Sequence, residues 1–460
     1  MKAFQAIRGG ILRYLKRHGR LDGAVCRLRH PFGGDRLDAL EEAERRQRPV
    51  LAMLQENLKA LADAVWSQRM RLKVQNGMPA VAVFVCHEPA IWPMHETIYQ
   101  AMARDRHFDP VVVAMPNTQF GAPVDKGMRA YCADKGIRAV EGYDPRSGTW
   151  LDPMALAPDY VFFQTPYDFF PDRWSVGAVA QHAKIVYVDY ATTVLRDSGD
   201  HPEAFLRHAS YIFEDNEFAK RGLAGRLGDR WWYKASSVIV SGSPKHDYFS
   251  GVRKAEPPDG CRNRTSLLWT PRWRTEEGAC HFFTYKDYFA ALCARRKDVR
   301  LVFRPHPLCF LNFLKTGEMT ERDHEVLRRT YAESENMALD EGPDYRAAVL
   351  GTDILITDVS SMIAEYMPTG KPVIYTHRVD LLNDYARRLA EGCYWVRNEA
   401  ELDATIGRLL DGQDPLRDKR REISDALYCF PKGGSGEFIK EILRKDSGAL
   451  AQPGRVPCGA

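Results

Sequence analysis

From Pro79 onward, short apolar runs alternate with helical patterns, and this alternation restricts the chain to an α/β fold built on parallel sheets. The first series of predicted strands lies at 81–85, 110–114, 160–163, 184–188, 211–213 and 237–240. The second series lies at 266–270, 299–303, 354–357 and 372–375, with helices predicted near 401–410 and 436–444. A chain of 460 residues exceeds the size at which one core stops growing, about 250–300 residues. Two consecutive α/β domains are therefore predicted.

The glycine-rich phosphate motifs of common nucleotide-binding folds are missing from both series. There is no G-x-G-x-x-G, no G-x-x-x-x-G-K-[ST] and no D-x-D pair. The missing D-x-D argues against metal-dependent sugar transferases of the other common fold. Twin Rossmann-like domains facing a cleft fit the pattern best, with predicted domains at 76–240 and 241–445, a helical extension at 1–75 and a flexible tail at 446–460.

Residues 1–20 combine apolar side chains at helical spacing with six Lys and Arg residues. This pattern is typical of a basic amphipathic helix on an anionic membrane surface, but it equally fits a helix docked on the protein itself. Residues 36–74 form a second helical stretch, in which Pro49 predicts two helices rather than one. One face of this stretch could pack on the body or on a partner, including a second copy in a homo-oligomer, and it carries Leu51, Leu54, Leu58, Leu61 and Val65.

Charge and cysteine content exclude several protein classes. The 65 Lys and Arg residues against 61 acidic residues give a net charge of +4, which predicts no nucleic-acid partner. Ten cysteines form no C-x-x-C pair, as expected for a reduced compartment. No apolar run approaches the roughly 20 residues that span a bilayer, and Met1 to Arg20 lacks a signal-peptide pattern. The predicted location is the cytoplasm, peripheral to the inner face of the membrane.

Candidate site residues follow the predicted strands, because open α/β sheets bind ligands beyond the carboxyl ends of their strands. After the strand at 354–357 come Asp358, Ser360 and Ser361, which could present hydroxyls and amides to a phosphate or could simply cap the next helix. After the strand at 299–303 come Arg304 and His306, the latter flanked by two prolines.

His306 has two open interpretations. It could take a proton from an acceptor hydroxyl or, when charged, stabilise a leaving phosphate, while Arg304 offers a fork of donors to phosphate oxygens. A structural histidine that caps backbone groups is the alternative. Four further residues at strand ends would complete one rim suited to a diphosphate, although each cation could also be a solvated surface residue; they are Ser243, Lys245, Arg272 and Arg274.

In this order, the motifs resemble those of the CDP-glycerol glycerophosphotransferases that build teichoic-acid and related glycerol-phosphate polymers. The resemblance covers roughly residues 240–440. It rests on the segments Gly242-Ser-Pro-Lys-His-Asp247, Trp269-Thr-Pro-Arg-Trp-Arg274, Arg304-Pro-His-Pro307, Ile356-Thr-Asp-Val-Ser-Ser361 and, more weakly, Lys432-Gly-Gly-Ser435-Gly-Glu437.

The resemblance implies a GT-B fold, donor binding by the domain at 241–445, acceptor recognition by the domain at 76–240, and transfer of glycerol phosphate from a CDP-linked donor to a lipid-linked or polysaccharide acceptor. It also implies a catalytic or phosphate-stabilising role for His306 and donor-phosphate binding by Ser360 and Ser361. Asp358 is expected to organise its turn, since a carboxylate aimed at a diphosphate would repel it. No cofactor and no metal ligand set are predicted.

The first half departs from the family pattern. Where many members carry a W-H-G segment, this chain has Asp189-Tyr190, so the general base is left open between Asp189 and a histidine such as His87 or His95. Trp92, Gln164, Tyr167 and Tyr190 are predicted to line the acceptor. Three alternatives stay open at this stage: a GT-B glycosyltransferase using a CMP-, UDP- or GDP-sugar, a nucleotide-sugar 2-epimerase, and a nucleotide-binding scaffold without catalysis.

Overall fold

The structure is a computed structural model that describes residues 34–118, 121–167, 170–190, 192–195, 202–250 and 264–448. The predicted basic helix at 1–20 and most of the predicted tail lie outside these ranges. The chain divides into a unit that ends at Ala64 and a larger unit that begins at Val65 and contains both sheets. Among the described helices, none is long and apolar enough to cross a membrane.

Helix α1 (Gly34–Gln75) runs without a break through Pro49, so the prediction of two helices was wrong. A proline removes one hydrogen bond and costs about 3 kcal/mol inside a helix, which a helix of 42 residues can tolerate. The last turns of α1 dock on the first sheet. There Trp66 is buried and donates to the Asp159 carbonyl at 2.9 Å, and Arg69 pairs with the Asp159 carboxylate at 3.0 Å.

The first sheet has seven parallel strands in the order β3-β2-β1-β6-β7-β8-β9. Its strands are β1 (Ala80–Cys86), β2 (Phe108–Ala114), β3 (Ala139–Glu141), β6 (Tyr160–Phe163), β7 (Lys184–Val188), β8 (Ala209–Glu214) and β9 (Val238–Val240), and a separate antiparallel hairpin consists of β4 (Tyr143–Asp144) and β5 (Thr149–Trp150). The helices of this half are α2 (Pro93–Ala103), α3 (Met128–Asp134), α4 (Val176–Val179), α5 (Glu203–Leu206) and α6 (Glu217–Leu227).

The second sheet has six parallel strands in the order β12-β11-β10-β13-β14-β15, the order of a Rossmann fold. Its strands are β10 (Thr265–Thr270), β11 (Val299–Phe303), β12 (Met337–Leu339), β13 (Ile354–Thr357), β14 (Val373–Thr376) and β15 (Tyr394–Val396). The helices are α7 (Pro244–Ser250), α8 (Phe282–Arg295), α9 (Cys309–Thr316), α10 (Glu321–Glu333), α11 (Arg346–Leu350), α12 (Met362–Tyr366), α13 (Asp384–Ala390), α14 (Glu399–Leu410), α15 (Arg417–Leu427) and α16 (Ser435–Asp446).

Helix α16 packs on the first sheet although it follows the second sheet in the chain. Ile439 and Leu443 are fully buried in the same core as Phe84 of β1. Asp446, the last residue of the helix, pairs with Lys184 of β7 at 2.6 Å. The sequence analysis placed the helix near 436–444 in the domain at 241–445. It did not anticipate that this part of the chain returns to the first sheet.

Candidate active site

Each sheet has one switch point, defined here as the pair of adjacent strands from which the chain order runs in opposite directions. The pair is β1 and β6 in the first sheet and β10 and β13 in the second. Loops diverge at the carboxyl ends of such a pair and leave a crevice in which α/β proteins bind ligands. Some of the predicted site residues follow these strands, such as His87, Gln164, Arg272 and Asp358, whereas His306 follows β11, the neighbour of β10.

At the second switch point, the Asp358 carboxylate ties two loops together. It is buried after β13 and accepts the backbone N–H of Arg272 at 2.7 Å and that of His281 at 3.0 Å. Burial raises the pKa of Asp358 to about 7, although the two backbone donors and the charge of Arg272 oppose the shift. The carboxylate thus serves the loops that surround it and can exist in either charge state near neutral pH.

The two arginines after β10 already have acidic partners. Arg272 pairs with Glu277 and also donates to the Val359 carbonyl at 3.3 Å. Arg274 is exposed, lies over the Trp273 ring at 4.4 Å and approaches Glu277 at 3.5 Å. A bound diphosphate would therefore compete with Glu277 for both guanidinium groups.

His306 is held in one orientation after β11. Its ring stacks on Trp273 with centroids 5.6 Å apart, and its Nδ1 accepts the backbone N–H of Leu308 at 3.1 Å. Although part of the ring is exposed, loss of water around it and the nearby charge of Arg272 lower its pKa to about 4. A neutral ring whose Nδ1 accepts a hydrogen bond carries its proton on Nε2. His306 therefore presents an N–H donor, which suits a phosphate oxygen better than proton abstraction.

Ser360 and Ser361 stand at the start of α12. The Ser360 hydroxyl accepts the Met362 N–H at 3.2 Å, and Ser361 occupies the N-cap position without a side-chain cap. Ser360 thus makes the capping interaction that was the alternative to phosphate binding. Both side chains are only half-buried, so the two interpretations remain compatible.

The guanidinium group of Arg304 binds the loop after β12. Its guanidinium donates to Asp340 at 2.7 Å and to the Gly342 carbonyl at 2.6 Å, which holds the loop after β12. This pairing was not predictable, because Asp340 follows a strand of only three residues that was itself not predicted.

Lys245 links the two halves of the site. It is buried at the start of α7, pairs with Glu365 of α12 and donates to the Tyr190 carbonyl after β7 at 3.1 Å. Burial alone would lower the pKa of Lys245, but the Glu365 carboxylate reverses the effect and leaves it raised. Ser243 is also buried beside this group. Glu365, which also accepts from Tyr345 at 2.9 Å, was missed as a functional residue even though it lies within the α12 motif.

At the first switch point, Gln164 bridges two loops as Asp358 does. Its Oε1 accepts the backbone N–H of His87 at 2.8 Å and of Glu88 at 3.1 Å, and its Nε2 donates to the Glu88 carbonyl at 2.7 Å. Burial lowers the pKa of His87 to about 4. These three bonds hold the buried amide in place, so Gln164 shapes the acceptor-side loop.

Carboxylates gather at the ends of β7 and β8. Asp189 is half-buried and accepts from the Tyr187 hydroxyl at 3.3 Å. Burial and the charge of Asp189 raise the pKa of Glu214, and burial raises that of Asp215, which accepts from Thr192 at 2.8 Å. The sequence analysis missed Glu214 and Asp215, although both directly follow the strand predicted at 211–213.

Two aromatic residues predicted to line the acceptor remain near this edge, and a third does not. The hydroxyls of Tyr167 and Tyr190 lie 3.3 Å apart. Trp92 is fully buried in the core of the first sheet, where it packs against Phe84 and Tyr99, because α2 turns its first residues inward. In this structure Trp92 and the equally buried His95 cannot reach an acceptor.

No group of three His, Cys, Asp or Glu side chains within the described ranges is arranged to hold a metal ion. The charges at the site come instead from Lys245, Arg272 and Arg274. The chemistry that these side chains can support is the binding and displacement of a phosphate group, in which positioning and charge stabilisation supply most of the rate.

Comparison with known proteins places this site in a family. The family model described as CDP-glycerol:poly(glycerophosphate) glycerophosphotransferase matches residues 182–435, more than half of the chain. No curated protein sequence matches. Among solved structures, the S. aureus MnaA–UDP complex aligns with a TM-score of 0.54 at 14% identity, covering 81% of this chain and 98% of that one.

Two further solved structures align equally well. UDP-GlcNAc 2-epimerase from Neisseria meningitidis bound to UDP-GlcNAc gives a TM-score of 0.54 at 14% identity over 80% of this chain and 100% of that one. A variant of the wall teichoic acid polymerase TagF soaked with CDPG gives 0.54 at 12% identity over 89% and 98%. Identities this low show a common fold, which is of the GT-B type, and do not separate epimerase from transferase.

The twin sheets thus define a protein of the GT-B fold. The family match is more specific than the fold. This chain belongs to the CDP-glycerol:poly(glycerophosphate) glycerophosphotransferase family, as the motifs from Gly242 to Ser361 led us to expect.

Proposed function

We propose that the protein transfers glycerol phosphate, or a related polyol phosphate, from CDP-glycerol or a similar CDP-linked donor to a hydroxyl of an envelope polysaccharide or lipid-linked acceptor, with release of CMP. The observation that carries the proposal is the N–H donor of His306 beside Arg272, after the strand next to the switch point of a Rossmann-type sheet. A nucleotide diphosphate is the ligand that such an edge is suited to bind.

In the proposed reaction the acceptor oxygen forms a bond to the phosphorus of the glycerol phosphate, and the bond from that phosphorus to the CMP oxygen breaks. The His306 Nε2–H and Arg272 stabilise the charge that moves onto the departing CMP. The acceptor proton goes to Asp189, whose neighbours Glu214 and Asp215 form a carboxylate cluster with raised pKa values, or to His87. The low pKa of His87 makes it a weak base.

The proposal includes an encounter with the inner membrane surface. It rests on the basic amphipathic pattern of residues 1–20, which lie outside the described ranges. Deleting residues 2–20 should move the protein from the membrane fraction to the supernatant after lysis. An unchanged distribution would remove this part of the proposal and leave the transfer reaction untouched.

A donor panel tests the reaction. The purified protein is incubated with CDP-glycerol, CMP-, UDP- and GDP-sugars, with and without a lipid or polymer acceptor, and the released nucleotide is quantified. We expect CDP-glycerol to be the only donor in the panel from which nucleotide is released, in the form of CMP. The rate of CMP release should be the same after treatment with a chelator. Release only from a sugar nucleotide would replace the proposal with a glycosyltransferase, and conversion of UDP-GlcNAc without nucleotide release would replace it with an epimerase.

A further inference from the structure

A cavity of about 370 Å³ opens beside the loop after β6, in the half of the protein to which we assign the acceptor. Five aromatic residues contribute to its wall: Phe163, Tyr167, Phe170, Trp174 and Phe205. Its size falls in the range of small-ligand sites, about 300–1,000 Å³. The donor-side residues described above do not line it.

The cavity lies next to the proposed reaction centre. Its lining residue Tyr167 reaches Tyr190, whose carbonyl accepts from Lys245 at 3.1 Å. Phe170, on another wall, makes an edge-to-face contact with the His87 ring at 6.0 Å. A ligand in the cavity would therefore extend along the sheet edge toward the candidate bases and the donor.

Among the described lining residues, the polar side chains are those of Tyr167, Ser175, Arg207 and His208, and Arg207 carries a permanent positive charge. Arg207 is exposed at the end of α5, and its Nε donates to His208 Nε2 at 3.2 Å. The described lining residues include no Asp or Glu. The cavity thus combines aromatic faces with one permanent cation.

From this geometry we propose that the cavity binds a pyranose ring of the acceptor that carries one negatively charged group. The C–H faces of a sugar ring pack on aromatic rings, and a phosphate or carboxylate on the ring takes the Arg207 guanidinium as a charge-assisted partner. A glycerol phosphate polymer fits less well, because it has no ring to stack and one charge in every unit, against a single arginine. That this sugar ring belongs to the acceptor rests on the proposed function, whereas its chemical class is inferred from the cavity alone.

Calorimetric titration of the full-length protein with four probes tests this assignment. The probes are glucose 6-phosphate, glucose, glycerol 3-phosphate and decanoate. We expect glucose 6-phosphate to bind about tenfold more tightly than glucose or glycerol 3-phosphate, since a charge-assisted hydrogen bond typically contributes at least that factor. Tightest binding by decanoate would overturn the proposal in favour of an apolar chain, and the absence of sugar binding at millimolar concentration would overturn it outright.

Two variants and a matched control locate the binding. Arg207→Gln should reduce the affinity for glucose 6-phosphate to that for glucose. Phe170→Ala should reduce the affinity for both sugars about tenfold. Arg173→Gln removes an exposed arginine nearby that does not line the cavity and should change neither affinity. Unfolding midpoints of all three variants establish that they are folded. Equal affinities in Arg207→Gln and in the control would refute the assignment of the charge.

The outcome separates this inference from the proposed function. Release of CMP from CDP-glycerol without sugar binding would refute the cavity assignment and leave the donor assignment intact. Sugar binding that responds to the two variants, without any CMP release, would refute the proposed function and leave an anionic-sugar site in the first half.

Discussion

The two switch points solve the same structural problem with different chemical groups. Gln164, after β6, accepts two N–H groups from the loop after β1, and Asp358, after β13, accepts two from the loop after β10. The amide also donates to the Glu88 carbonyl, whereas an ionised carboxylate has nothing to donate. Both residues fix a loop, but only Asp358 introduces an ionisable group beside the arginines.

The difference matters for ligand binding because Asp358 can change its charge near neutral pH. Burial raises the pKa of Asp358 to about 7, and a bound diphosphate would raise it further by adding negative charge. Asp358 would then take up a proton, which removes the repulsion between its carboxylate and the donor. At the first switch point, the bridging amide of Gln164 undergoes no such change of charge.

The largest expected effect concerns His306, which follows β11 of the second sheet. His306→Ala should reduce CMP release from CDP-glycerol at least a hundredfold, because it removes a preorganised hydrogen-bond donor from the transition state. The midpoint of urea unfolding should stay unchanged. His182→Ala, an exposed histidine, serves as the matched control. Wild-type turnover in His306→Ala would reduce this residue to a structural role.

Next in size is the replacement Asp358→Asn. The new amide nitrogen would face the N–H of Arg272 or of His281, so one buried donor would lose its acceptor. We expect the free energy of unfolding to fall by about 2–4 kcal/mol in urea titrations. Asp411→Asn, at an exposed position, should change it by less than about 0.5 kcal/mol. Equal stability of the two variants would contradict the bridging role of Asp358.

The converse change at the first switch point, Gln164→Glu, should cost less. Both acceptor bonds survive, but the donor to the Glu88 carbonyl is lost and a carboxylate faces that oxygen. A loss of about 1–2 kcal/mol is expected at pH 8, with a smaller loss at pH 5, where a protonated glutamic acid can donate again. Chemical unfolding at both pH values measures it. A larger loss of stability at pH 5 than at pH 8 would contradict the missing donor to the Glu88 carbonyl as the cause of the loss.

The smallest effect is the pH dependence of wild-type stability that Asp358 contributes. Its folded pKa of about 7 lies above the unfolded value of about 3.9, so this contribution is fully present below the unfolded pKa and is lost as pH rises toward 7. Between pH 6 and 7 the loss should be about 1 kcal/mol. The measurement is the difference in unfolding free energy between wild type and Asp358→Asn at the two pH values. A difference that grows with pH would have the wrong sign.

The strands and their ends were predictable because buried parallel strands are continuous apolar runs. The predicted limits of β6, β7, β11 and β13 are those observed. The missed strands β3, β12 and β15 have three residues each at or near sheet edges, too few to give a pattern. The prediction of a break between two helices at Pro49 was also wrong, because the length of a helix can outweigh one unfavourable residue.

Pairings between distant residues could not be read from the sequence. Lys245 and Glu365 lie 120 positions apart, and Arg304 was expected to contact phosphate because nothing marked Asp340 as its partner. Trp92 was predicted to line the acceptor but lies in the core, which also could not be read from the sequence. An aromatic residue after a strand fits a ligand site or a core equally well, and only the direction of α2 decides between them. The roles of the individual site residues stay predictions until the variants are measured.

The return of α16 to the first sheet has a consequence for biosynthesis. The core around Phe84 stays open until Ile439 and Leu443 have left the ribosome, so the half of the protein that is made first is the last to be completed. The second sheet, whose strands end at Val396, can assemble earlier. A stop codon shortly before Ser435 would therefore damage the part of the protein encoded farthest from it.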